Sequence, residues 1–335
     1  MVSVKDIAAA CKVSVATVSK ALNGYPDISE TTRESIKAKA RELGYMPNLA
    51  AVTLKTNRTY NLGVLFFDEA KTGFTQEFFA RILENVKEEA EKKGYAITFI
   101  NNRIGKREVT YTEHCKYRGF DGVVIACVHY DDPEVIELVR SDIPVVTIDH
   151  VFHEAISITS DNFKGISDLV QYAYDCGHRR IAFIHGAPST VTNDRMTGFY
   201  RKVEELGLDI PDEYVKECEY RDTEKAGKLT KHMLKLKIPP TCILYPDDYT
   251  ATGGINAIKS MGLTIPDDIS VIGYDGTSYS ELAEPRLTTL KQDTVNMGKL
   301  AAKKLIELIE KPKTTMKEHM VVEGFVSIGK SVKML

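Results

Sequence analysis

No apolar run in the 335 residues approaches the ~18 positions that a membrane helix needs. The longest runs, 62–67 and 122–128, are strand-sized. No membrane partner is therefore expected. The start of the chain lacks a basic stretch followed by an apolar one, so no secretory signal is expected. No two of the six cysteines (Cys11, Cys115, Cys127, Cys176, Cys218 and Cys242) lie within four residues of each other. That excludes zinc ribbons and redox CxxC pairs. In a chain without an export signal the thiols are expected to be reduced, which points to the cytoplasm. G-x-S-x-G is missing, as is a glycine-rich dinucleotide fingerprint: Phe-Asp-Glu-Ala-Lys stands at 67–71, after the first apolar strand. With no nucleophile motif and no metal-ligand spacing, neither an enzyme nor a cofactor or metal site is expected.

What is present is an ordinary globular composition, 43% hydrophobic and 27% charged, which excludes extended disorder and collagen-like chains. The length suits two or three domains. The net charge of −3 conceals an asymmetry. Residues 1–58 carry nine basic and five acidic side chains, hence +4, and the remaining residues sum to −7. A basic head on an acidic body points to an anionic partner for the head, although solvated helices often carry such a surplus.

The pattern along the chain divides in the same place. Ser3-Val-Lys-Asp6 has the form of a capping box that opens a helix at Val4, running to about Ala10 with Ile7, Ala8 and Cys11 inward. Ser14 is placed to cap a second helix over 15–22, which Asn23-Gly24-Tyr25-Pro26 breaks. Ser29 caps a third helix that ends at Leu43-Gly44. From Asn61 onward, short continuous apolar runs alternate with amphipathic helical stretches. The strand-like runs are 62–67, 96–100, 122–126, 145–148, 181–184, 242–245 and 269–273. This is the signature of parallel sheets covered on both faces, and the number of units fits two lobes.

Residues 4–23 form a candidate helix-turn-helix. Ala8 is small enough for two helices to cross closely, and Val4, Ile7, Val13, Val18 and Leu22 form the buried seam. Ser14, Val15, Ala16, Thr17, Ser19, Lys20 and Asn23 are left on or near the outer face. In this motif the second helix enters the major groove with its N-terminal residues at base edges. Val15 and Ala16 suit thymine methyl groups, and Lys20 suits guanine or a phosphate. The pattern alone fits an ordinary helical hairpin equally well.

The wording of these segments resembles the lactose-repressor (LacI) family. Val4-Lys5-Asp6-Ile7-Ala8, the run Val13 to Asn23, Ile28-Ser29-Glu30-Thr31-Thr32-Arg33 and Glu42 to Asn48 match its headpiece. The likeness continues through Asn61-Leu62-Gly63-Val64, Gly177 to Ile184, Arg195 to Phe199 and Ile265 to Asp275. It covers essentially the whole chain in order. The resemblance implies an α/β architecture: a helix-turn-helix headpiece (1–46), then a hinge helix and linker (47–60). Two Rossmann-like parallel-sheet lobes like periplasmic sugar receptors follow, at 61–160 with 292–319 and at 161–291 with 320–335. It also implies that a hinge helix folds when a dimer sits on its operator, with Leu54 as the wedge between base pairs and Lys55 beside it. Two departures stand out. Ala51-Val52-Thr53 replaces the frequent Ala-Arg before that leucine, and Lys12 replaces the usual Gly or Asn of the turn.

Open α/β sheets bind ligands outside the carboxyl ends of their strands. Phe78, Phe79, His150, Asp161, Arg195, Asp247, Tyr249 and Asp275 fall there. Arginine and aspartate fork onto adjacent hydroxyls, and aromatic faces cover apolar sugar faces. The resemblance implies effector contacts for Arg195 and Asp275, while Asp247 stands where Asn is common. From the residues alone, Arg195 also fits a helix cap and His150 an ordinary loop histidine.

Gly324 to Ser331 fits the phosphate-loop pattern, yet it reads as a strand with only four residues after it. His150-x-x-His153 lacks a third ligand. The expectation is therefore a cytoplasmic, dimeric, operator-binding repressor controlled by a small effector, a sugar or sugar derivative. A pure solute-binding protein would fit the core but not the basic head. A nicotinamide-dependent enzyme would need the missing fingerprint.

Overall fold

The structure, a computed structural model, describes residues 2–46, 53–54, 56–67 and 75–335. It divides into two compact units, 1–59 and 60–335. The expected positions 47–52 and Lys55 lie outside the described residues.

The first unit holds α1 (Val4–Cys11), α2 (Val15–Leu22) and α3 (Glu30–Glu42). Each start is chemically specified. Ser3 and Asp6 close a capping box on α1, and Ser14 and Ser29 accept the Thr17 and Thr32 N–H groups at the starts of α2 and α3. Lys12 ends α1 in the left-handed region at φ 54°, so it takes up the conformation that Gly or Asn adopts more cheaply. Ile7, Ala8, Val18, Ala21, Ile36 and Ala40 form the core, flanked by partly buried Val4, Val13 and Leu22. Burying each of the larger side chains contributes about 1.5–3 kcal/mol. In a unit this small, three or four such residues decide whether it folds.

The second unit contains two six-stranded sheets. The first lobe comprises β1 (Asn61–Phe66), α4 (Glu77–Lys92), β2 (Ala96–Phe99), the two-residue strands β3 (Arg103–Ile104) and β4 (Arg107–Glu108), α5 (Tyr111–Arg118), β5 (Gly122–Ala126), α6 (Pro133–Arg140), β6 (Val145–Ile148) and β7 (Ile156–Ser160). The chain then enters the second lobe with α7 (Asn162–Asp175), β8 (Ile181–His185), α8 (Thr190–Glu205), β9 (Val215–Glu217), α9 (Thr223–Leu234), β10 (Cys242–Leu244), α10 (Asp248–Ser260), β11 (Ser270–Asp275), α11 (Ser278–Leu282) and β12 (Thr288–Lys291). It returns through α12 (Thr294–Glu310) and β13 (His319–Val322), and ends with β14 (Phe325–Ser327).

The sheet orders are β13-β7-β6-β5-β1-β2 and β14-β12-β11-β10-β8-β9. Among the described residues, all neighbouring strands within them are parallel except β12 with β14. Strands such as β5 and β6 are buried along their whole length, which is why they read as unbroken apolar runs.

The last crossing between the lobes corrects the expected boundary after 319. His319–Val322 pairs with Ser157–Ser160 in the first sheet, so the chain crosses after Val322. The reason is apolar: Val322 is buried in the first lobe's core and Met320 packs against it.

Among the described residues, no helix is long and apolar enough to cross a membrane, and no three His, Cys, Asp or Glu side chains could together hold a metal ion. The Gly324–Ser331 segment carries β14, paired antiparallel with β12. Its glycines serve close packing: a Cβ on Gly329 would stand 2.3 Å from the Arg286 carbonyl.

Candidate functional site

On the headpiece, α2 presents Ser14, Val15 and Ala16 to solvent at its N-terminus. The free N–H groups and dipole of that first turn favour an anion such as a phosphate. Three side chains of the expected face are held inside the unit. Ser14 Oγ lies 2.8 Å from Thr17 Oγ1 and accepts the Thr17 N–H at 3.0 Å. Asn23 Nδ2 donates to the Ser19 carbonyl at 2.6 Å. Lys20 Nζ pairs with Asp27 at 2.5 Å, and both are solvent-exposed. Water screens such a pair strongly, so the ammonium is cheaply exchanged onto another anion. Leu54 is 89% exposed, a large apolar side chain with nothing of its own unit over it.

The second candidate site is a cleft of about 640 Å³ between the two lobes. It opens at the carboxyl ends of the strands, where open α/β sheets that bind ligands hold them. From the first lobe come Phe78 and Phe79, in the first turn of α4, with Tyr130, Asp149 and His150. The two phenylalanine rings meet edge-on at 5.0 Å. His150 stacks on Tyr130, with centroids 4.4 Å apart and planes 7° from parallel. Its Nδ1 is 3.3 Å from Thr190 Oγ1 of the opposite lobe. Burial lowers the His150 pKa, so the ring favours its neutral form.

The second lobe supplies the charged floor. Arg195, on α8, is 5% exposed. Its Nε donates to Asn162 Oδ1 at 2.8 Å and its Nη1 to the Pro246 carbonyl at 2.8 Å. Its guanidinium carbon lies 3.5 Å over the Tyr274 ring. Asp275 Oδ1 stands 3.9 Å from Arg195 Nη2 and accepts a hydrogen bond from Gln292 Nε2 at 2.7 Å. Asp275 adopts φ 100°, an uncommon conformation for a residue with a Cβ. Burial pushes its carboxyl up to about 7, with Arg195 opposing the rise, and pushes Asp149 up to about 6. Asp247 is the N-cap of α10, accepting from Thr250 N at 2.7 Å and Thr250 Oγ1 at 2.6 Å. Tyr249 meets Tyr279 edge-on at 5.0 Å.

Seven of the eight expected cleft residues line this space. Asp161 does not, and the expectation is corrected. It caps α7 at the crossover, with Oδ1 accepting the Lys164 N–H at 2.8 Å. A helix start needs an acceptor for its free N–H groups, and Asp161 is committed to that task. Its neighbour Asn162 reaches Arg195 instead.

The two lobes also touch at the rim. Glu77 accepts from Ser278 N at 3.0 Å and from Ser278 Oγ, and pairs with Arg81. Arg81 Nη1 donates to the Gly276 carbonyl at 3.1 Å.

Several lining residues were not anticipated: Tyr130, Tyr220, Arg221 and Gln292. Tyr130 follows β5, a strand visible in the sequence, so the strand-end rule was sufficient to find it. Tyr220 and Arg221 follow β9 and Gln292 follows β12. Those two strands are short and carry polar residues, so no apolar run announced them. Tyr220 packs so closely on Gly186 that a Cβ there would stand 2.2 Å from its ring.

Residues 3–48 match the family of bacterial regulatory proteins of the lacI type, and residues 170–332 match a periplasmic binding protein-like domain. The probable HTH-type transcriptional repressor ExuR of Bacillus subtilis (strain 168) is 32% identical over 319 residues, 94% of this chain and 93% of that protein. The HTH-type transcriptional repressor PurR of Pectobacterium carotovorum subsp. carotovorum (strain PC1) is 31% identical, over 92% of this chain and 91% of its own. A crystal structure of the lac repressor dimer bound to operator and the anti-inducer ONPF superposes with a TM-score of 0.78, at 26% identity and 99% coverage of both chains. Taken with the helix-turn-helix and the two-lobed cleft, these matches show that the chain belongs to the lacI family, DNA-binding transcriptional repressors rather than enzymes.

Proposed function

We propose that this repressor acts in the cytoplasm as a homodimer on a near-palindromic operator, and that a small polar effector in the cleft controls its hold on DNA. The effector is a sugar or sugar derivative. The observation that carries this reading is the cleft itself. One buried guanidinium and several carboxyls stand beside aromatic rings, in a space of about 640 Å³ at the strand ends. Carboxylates accept from hydroxyls, and the aromatic faces of Phe78, Phe79 and Tyr249 cover the apolar face of a sugar ring.

In this reading Ser14, Val15, Ala16, Thr17, Lys20 and Asn23 face the operator, and Leu54 and Lys55 act at the hinge. Arg195, Asp275, Asp247, Tyr249, His150, Phe78 and Phe79 hold the effector. Two-fold protein symmetry would be mirrored in the operator half-sites. The lac repressor structure, a dimer carrying both an operator and a small ligand, supports the same division of labour. The effector acts only to the extent that it binds one arrangement of the lobes better than the other. The rim contacts of Glu77 and Arg81 belong to one such arrangement.

The test is a gel-shift titration of the full-length protein on DNA from its own promoter region, repeated with a panel of sugars. Sedimentation of the same sample gives the oligomeric state. A site-specific shift by a dimer, moved by one panel member, supports the reading. A monomer that binds a sugar without affecting DNA would overturn it.

A further inference from the structure

The loop after β9 brings Arg221 to the cleft wall. Its backbone is held at φ 64°, the left-handed region that disfavours residues with a Cβ. Such a conformation persists only where the surroundings impose it. Here the Arg221 N–H donates to Thr250 Oγ1 at 2.8 Å and to Asp247 Oδ2 at 3.2 Å. These bonds tie the loop to the start of α10.

The side chain is built differently from that of Arg195. Arg195 has Asn162, the Pro246 carbonyl and Asp275 around its nitrogens. The Arg221 guanidinium lies 4.3 Å over the Tyr249 ring, and Tyr249 is itself braced by Tyr279. Its Nε is shut off from solvent, and no acceptor among the described residues reaches it. Asp247, which holds the Arg221 backbone, already receives Thr250 N, Thr250 Oγ1 and the Arg221 N–H. An aromatic ring supports one face of the fork, and its Nε meets no oxygen among the described residues. Leaving a buried donor unmet is costly unless a bound molecule supplies the acceptor.

We infer that Arg221 is a specificity-determining residue of the cleft, whose fork receives a pair of oxygen acceptors at one end of the ligand. This rests on reading the cleft as the effector site. The planar fork matches paired oxygens in two-point contact, which a carboxylate or two adjacent hydroxyls both offer. Asp275 and Asp149 take the hydroxyl donors elsewhere on the same molecule.

The experiment uses the full-length protein with D-glucose, D-galactose, D-ribose, cellobiose, D-glucuronate and D-galacturonate, by thermal shift and then calorimetry. Asp275→Asn tests the cleft reading alone: it should weaken every compound that binds the wild type. Arg221→Gln should weaken the preferred compound by about 10–100-fold, since hydrogen bonds to a charged group are of that size. If the acceptor pair is a carboxylate, the loss is large for a sugar acid and small for its parent sugar. If it is a diol, both members of the pair lose alike.

Arg221→Gly separates selectivity from support. It removes the fork and also the backbone conflict at φ 64°. Retained melting temperature with the same selective loss supports the inference. Wild-type affinities in Arg221→Gln overturn it, as does an Arg221→Gly variant that melts lower and loses all compounds equally. Unchanged affinities in Asp275→Asn, or no compound that shifts the wild type, overturn the cleft reading and this inference with it.

Discussion

The guanidinium carbon of Arg195 lies 3.5 Å over the ring of Tyr274, and the next residue along β11, Asp275, faces its Nη2 at 3.9 Å. One strand end therefore gives the arginine both a π face and a carboxylate. The Asn162 and Pro246 contacts complete its surroundings, and it is 5% exposed. Lysine cannot reproduce the fork. Arg195→Lys should abolish the effector response and also cost the core roughly 2 kcal/mol, because buried acceptors lose their donors. Urea unfolding reads the second effect. Operator binding without effector should persist. An effector titration that matches wild type would remove Arg195 from the site.

Asp275 carries a pH signature. Its pKa in the folded chain, about 7, lies above the ordinary 3.8. Between about pH 4 and pH 7 the folded state therefore holds more proton on this group than the unfolded state does. This part of the stability is largest at low pH and falls as pH rises through 7. Asp149, pushed up to about 6, has the same sign, while His150, lowered by burial, has the opposite one. Asp275→Asn keeps an oxygen acceptor for Gln292 and removes the titration. The variant should gain melting temperature over wild type at pH 7.5 and gain little at pH 5. Equal gains at both values would mean that the carboxyl titrates normally.

In the proposed reading Lys20 is the charged end of the recognition face; it is exposed and paired with Asp27. Lys20→Ala should weaken operator binding without affecting the core. If its target is a phosphate, the slope of log affinity against log salt should fall by about 0.9. If its target is a guanine, specificity at that base should relax instead. Asp27→Ala, which frees the ammonium, should bind DNA at least as well as wild type. A Lys20→Ala gel shift with unchanged affinity and slope would end this assignment.

The headpiece was legible in the sequence nearly to the residue. Serines at 3, 14 and 29 mark the helix starts, and apolar side chains repeat at helical spacing between them. Most inner strands were legible because burial on both faces demands apolar runs, but β7 and β12 were not, since Ser157, Thr159, Thr288 and Thr289 interrupt them. The edge strands β9 and β13 were not legible either, since an exposed flank lets polar residues in. That loss had consequences at the site: the residues following unseen strands, Arg221 and Gln292, went unseen as well. Asp161 was misplaced for another reason. A carboxylate at a crossover suits a cap and a ligand equally well, and only the Lys164 hydrogen bond decides between them.

Leu54 gives the sharpest test of the hinge. A leucine that is 89% exposed forgoes most of its burial energy in its own unit, so it is available to another surface. Wedging it into a base step unstacks the DNA at a cost of about a few kcal/mol, which the bent duplex offsets by wider contact. Leu54→Ala should therefore leave the fold intact, weaken operator binding and reduce the bend seen in circular-permutation gel shifts. Affinity for nicked or pre-bent operator should fall less than affinity for intact operator, because the cost of unstacking has already been met. If the variant bends the operator as the wild type does, the leucine is not the wedge and its exposure has another cause.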